Sequence, residues 1–128
     1  MEARALLAAL KRRREKSVDL GEGRAVTFLR PLESDMGSML SGEGAERTWS
    51  VTIEHVKKFV NGWSGFTEAD LLGASIGSSD PVSFDPDLWA EVCADDIETV
   101  QKVAQAILKS VIDHLSEQAD VAKNSEPA

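Results

Sequence analysis

From Val100 to Leu115 apolar residues recur at i, i+3 and i+4 without a break: Val100, Val103, Ala104, Ile107, Leu108, Val111, Ile112 and Leu115. Such a set lies on one side of a helix, so the rest of the chain must supply a surface for it to pack against. Asp95 or Asp96 stands at the N-cap position, and Glu98 near the start suits the positive end of the helix dipole. At about 1.5 Å per residue the helix spans roughly 30–35 Å and serves as the spine of the core. After Gln118 no apolar pattern remains, and 119–128 reads as a disordered tail. The 128-residue chain is then one domain over 1–118, long enough for a real but modest core.

The segments before this helix are short and mixed. Residues 2–16 form a first helix with Ala3, Leu6, Leu7 and Leu10 on one face and a basic C-terminal end. Val18 and Leu20, then Val26 and Phe28, alternate with polar neighbours around Gly21-Glu22-Gly23, which predicts a β-hairpin closed by Pro31. Ser34 to Leu40 gives one or two helical turns. Thr52 caps a helix to about Asn61, with Ile53, Val56, Phe59, Val60 and Trp63 on one face. Asn61 or Gly62 then stops it in the left-handed conformation. A short turn from Phe66 through Leu72 leads to a flexible loop over Gly73 to Ser79. Pro81 to Phe84 is extended, and Asp85-Pro86 opens a helix whose buried face is Leu88, Trp89 and Val92. The fold class is α+β: a mainly α-helical single domain with an N-terminal β-hairpin and a long C-terminal helix.

No catalytic constellation stands out. His55 and His114 are too few and too far apart for zinc spacing, and a single cysteine, Cys93, has no flanking base. Asp85-Pro86-Asp87 lacks the spacing and glycine of a calcium loop, and Gly62-Trp63-Ser64-Gly65 lacks the Lys-Ser/Thr of a phosphate loop. The reading is a non-enzyme with no metal and no cofactor. The lone cysteine fits a reducing cytoplasm. No apolar run reaches the roughly 20 residues of a membrane span, and the N-terminal leucines precede the basic run, the reverse of an export signal. The net charge of −8 opposes nucleic-acid binding by the surface as a whole.

From Thr52 onward the motifs come in a distinctive order: Val60-Asn61-Gly62-Trp63-Ser64-Gly65-Phe66, an acidic turn, Pro81-Val82-Ser83-Phe84, then Asp85-Pro86-Asp87-Leu88-Trp89. Val26-Thr27-Phe28-Leu29-Arg30-Pro31 comes before them. This set resembles the tail assembly chaperones of long-tailed bacteriophages and related phage-like particles, over about two-thirds of the chain. The loop from Leu71 to Asp80 is longer than the family's, and the N-terminal helix has no counterpart there. The resemblance implies a protein of the bacterial host's cytoplasm. Several copies bind the tape measure protein and keep it soluble while the tail tube assembles, and they are absent from the finished particle. It also implies a longer, frameshifted form of the same chain, this chain being the short form.

A holdase of that kind needs an apolar surface with a charged rim. Trp49, Trp63, Phe66, Met36 and Met39 are the client-binding candidates. Core packing competes with that role at Trp63 and Trp89, and Trp49, in a polar run, is the exposed one. Charge asymmetry suggests head-to-tail self-association, the basic Lys11, Arg12, Arg13 and Arg14 of one copy meeting Asp85, Asp87, Asp95 and Asp96 of the next. Two rivals remain: a small structural tail or connector protein retained in the virion, and a small regulator that binds nucleic acid through Lys11 to Lys16.

Overall fold

The computed structural model describes residues 1–125. Helix α1 (Ala3–Arg14) runs directly into strand β1 (Glu15–Gly21), which turns back as β2 (Arg24–Leu29). The turn is tighter than the glycine spacing suggests. Gly21 pairs with Arg24, leaving Glu22 and Gly23 as a two-residue loop. Both have positive φ, 55° and 77°, as a type I′ hairpin turn requires.

The hairpin is not alone. Helix α2 (Glu33–Met36) continues as a 3₁₀ turn, and a small ribbon of β3 (Leu40–Ser41) and β4 (Thr48–Trp49) follows. Helix α3 (Ile53–Phe59) is capped by Thr52, whose side chain and that of His55 exchange hydrogen bonds with each other's backbone. Then the chain departs from expectation. Instead of a helix to Asn61 closed by a left-handed residue, Val60–Ser64 forms a strand, β5, antiparallel to β2. The sheet therefore has three strands in the order β1-β2-β5, with β2 in the centre. Ala25 faces Ser64, Val26 faces Trp63 and Phe28 faces Val60, with an irregularity between Thr27 and Phe28. A two-stranded hairpin is marginal, and this third strand satisfies the second edge of β2. Gly65, at φ +77°, ends β5 against the hairpin: a Cβ there would collide with the Gly23 carbonyl oxygen.

Helix α4 (Glu68–Leu72) is capped by a Thr67–Asp70 capping box. The segment after it is tied back rather than loose. Ala69 donates its amide to the Ser78 carbonyl, Glu68 to Asp80, and Val82 to Phe66. Helix α5 (Pro86–Asp95) starts as its sequence dictates, with Asp85 accepting from the Asp87 and Leu88 amides. Helix α6 (Ile97–Ser125) is capped by Asp96, which accepts from the Thr99 amide and hydroxyl. It packs on α3, α5 and β1.

One core holds these layers. It comprises Leu20, Val26 and Phe28 from the hairpin, Met36 and Met39, Val56, Phe59 and Val60, Phe66, Trp89 and Cys93, and Val100, Val103, Ile107 and Val111 from α6. The last helix also outruns its stripe. It continues past Gln118 to Ser125, over much of the segment expected to be a disordered tail. Ala119 and Ala122 favour helix there, and neither Gly nor Pro breaks it before Pro127. The remainder of that tail, 126–128, lies outside the described residues. Among the described residues no helix is long and apolar enough to cross a membrane.

Candidate functional site

Strand β5 delivers Trp63 to the centre of an aromatic group. Its ring stacks on Phe66 at 4.3 Å and 16°, and meets Phe84 edge-on at 5.3 Å and 86°. It reaches Trp89 at 6.5 Å and 75°. Both indole N–H groups are satisfied, Trp63 donating to the Val82 carbonyl at 2.8 Å and Trp89 to that of Val56 at 3.3 Å. The Arg24 guanidinium lies over the Phe66 ring, 5.5 Å from its centroid. This arrangement is structural: aromatic faces are used on each other, and the polar edges are used on backbone.

Three of the expected client-binding residues therefore leave the surface. Phe66 is 2% exposed, Met36 4% and Met39 0%. Phe66 is covered by Trp63 and Arg24, and the short α2 and its 3₁₀ turn point both methionines inward. Trp63 is half-buried with its N–H engaged. Trp49 is half-buried too, paired across the ribbon with Leu40 and packed on the edge of the core.

Besides a polar hollow of about 350 Å³ whose lining includes Arg13, Lys16, Arg30, Lys109, Asp113 and Glu117, the surface offers three grooves with aliphatic side chains. The first is apolar with a basic rim: Leu7, Leu10 and Leu32 form its floor, and Lys11, Arg13, Arg14, Arg30 and His114 border a space of about 470 Å³. Arg14 and Arg30 clamp α1 to the end of β2. The Arg30 amide donates to the Arg14 carbonyl at 2.8 Å, and Arg14 Nη1 returns to the Arg30 carbonyl at 2.9 Å. Burial and then the neighbouring Arg14 charge lower the Arg30 pKa, with Glu33 opposing. His114 Nε2 lies 3.1 Å from Glu33 Oε2.

The second groove is apolar with an acidic rim. Leu71, Leu72, Leu88 and Val92 lie among Asp70, Glu91, Asp95 and Asp96 around a space of about 590 Å³. Of the four aspartates expected to meet a basic partner, Asp95 and Asp96 line this groove. Asp85 and Asp87 do not: Asp85 is spent on the N-cap of α5, with Asp87 in the same first turn. The third groove, of about 360 Å³, is uncharged: Val51, Gln101, Ala104, Gln105 and Leu108. It begins two positions along the chain from Trp49 and runs on the flank of α6.

The sequence places Leu72 in a short turn, Leu88 on the buried face of α5 and Leu108 in the apolar stripe of α6; the structure leaves Leu72 and Leu88 exposed and Leu108 half-buried. The stripe is wider than the face α6 buries, and that excess width was the available signal. Burial pushes the Cys93 thiol up to about 11, with Lys57 opposing, so it stays protonated at neutral pH. Among the described residues no group of three or more His, Cys, Asp or Glu stands close enough to hold a metal ion. No family model, curated protein or solved structure matches the chain.

Proposed function

We propose that this chain is a tail assembly chaperone that binds the helical tape measure protein and keeps it soluble in the bacterial cytoplasm. A longer, frameshifted form of the same chain is its second partner in this reading. The ordered motifs from Val60 to Trp89 motivate the proposal. The observation that carries it is the uncharged groove of Val51, Ala104 and Leu108, two residues along the chain from Trp49, with a charged, leucine-bearing groove toward either end of α6. A long coiled client offers apolar anchors at i, i+3, i+4 and i+7, and a shallow neutral groove on a helix suits such a face. Many weak contacts in a row then hold the client without any tight site. Nothing in this work requires a cofactor.

Co-expression with the cognate tape measure protein tests the reading. The soluble fraction of that protein is expected to rise with the wild-type chain. Leu108→Asp and Trp49→Ala are expected to lose most of that effect while the chain stays folded. Equal solubility with and without the chain contradicts the proposal. Mass spectrometry of purified particles gives a second outcome: the chain present in finished tails would make it a structural component.

A further inference from the structure

We propose that copies of this chain join head to tail, the leucine face of α1 on one copy docking in the acidic groove between α4 and α5 of the next. The contact needs no client, so it does not rest on the chaperone reading. Two observations call for a partner on α1. The helix buries no residue of its own, and Leu6, Leu7 and Leu10 are 49%, 50% and 48% exposed on one face. A run of leucines left half open along a helix is an interaction surface rather than scattered exposure.

Charge selects the occupant. Five of the chain's 14 lysines and arginines lie in α1: Arg4, Lys11, Arg12, Arg13 and Arg14. None of them has an ion-pair partner among the described residues. Burial is the main cause of the lowered Arg30 pKa, and the neighbouring charges of Arg14 and Arg13 add to it. Pairing two α1 helices would set cation against cation, five on each helix against only Glu2 and Glu15 at its two ends. The uncharged groove on α6 offers nothing to these five cations. The acidic groove supplies both requirements. Leu72 and Leu88 are 58% and 37% exposed there. Asp70, Glu91, Asp95 and Asp96 border them with no ion-pair partner among the described residues; Asp70 and Asp96 already cap α4 and α6, so Glu91 and Asp95 are the carboxylates left to meet a cation.

Geometry then sets the form of the assembly. Asp96 in the acidic groove and His114 in the basic one lie at opposite ends of the same stretch of α6, about 27 Å apart at 1.5 Å per residue. With the two surfaces held apart by a rigid helix, the contact passes from copy to copy. It is heterologous, so repetition builds an open spiral or a ring.

Sedimentation velocity over a range of protein concentrations at low salt tests this. The wild-type chain is expected to grow in mass with concentration and to fall back to monomer at high salt. Arg12→Glu with Arg13→Glu, and separately Glu91→Lys with Asp95→Lys, are each expected to abolish growth, with thermal melts showing both pairs folded. All four substitutions in one chain restore the complementary charges and are expected to restore growth. A wild-type chain that stays monomeric at every concentration overturns the proposal. So does assembly that survives the Glu91 and Asp95 reversals, or a fourfold variant that stays monomeric.

Discussion

Helices α1 and α6 carry the same kind of apolar stripe and end in opposite surroundings. On α6, Val103, Ile107 and Val111 are each 0% exposed beneath α3, α5 and the hairpin. On α1, no residue is buried, and the helix is held mainly by the Arg14–Arg30 clamp at its C-terminal end. Spacing does not separate them. What separates them is the supply of apolar surface elsewhere in the chain: sheet and helices converge on α6, whereas among the described residues the leucines of α1 share only a shallow groove with Leu32. A stripe without a home in its own fold is a stripe available to another molecule.

The sharpest way to break this comparison is to attack the body. Trp89 is 1% exposed and bridges α5 to α3 through its bond to Val56. Trp89→Ala is expected to cost about 3–5 kcal/mol in urea melts. A loss under about 1 kcal/mol would mean that the aromatic group is not the seam of the core. Next comes Cys93. The unfolded thiol ionises near its ordinary 9.0, while burial pushes the folded one up to about 11. Its contribution is therefore fully present below pH 9 and lost as pH rises toward 11, by about 2–3 kcal/mol. Stability of wild type relative to Cys93→Ala, followed across that window, should fall by this amount; a constant difference would show the thiol to be solvated.

Gly65→Ala forces a Cβ onto the Gly23 carbonyl at a positive φ, so it is expected to cost more than about 1 kcal/mol and to loosen the β2–β5 pairing. Chemical denaturation checks it, and an unchanged midpoint would place the hairpin turn away from β5. The smallest effect belongs to α1. Leu7→Ala in the dilute monomer is expected to stay within about 0.5 kcal/mol of wild type. A loss comparable to that of a core leucine would erase the contrast with α6.

Much of this architecture is legible in the residues. The Asp85-Pro86 start of α5, the Thr52 cap of α3, the hairpin and the α6 stripe all follow from local chemistry, because caps and periodicity act within a few residues. Strand β5 does not. Ile53, Val56, Phe59, Val60 and Trp63 fit one helical face, and only the distant edge of β2 makes Val60–Ser64 extended. The surface was harder still. Met36, Met39 and Phe66 are soft or aromatic residues in short irregular segments, the usual look of a binding loop. Their burial is decided by backbone turns that composition does not encode. Asp85 and Asp87 carry the right charge for the acidic end, but α5 needs the first for its cap.

Amide hydrogen exchange at low and high protein concentration tests the central claim, a closed body with open ends, most directly. Slow, concentration-independent exchange is expected in β2 and in α6 from Val100 to Val111. Fast exchange is expected in α1 when dilute, slowing together with α4 and α5 as concentration rises. If α1 is as protected as α6 in the dilute monomer, and concentration changes neither, then the leucine face already has its home and the account is contradicted.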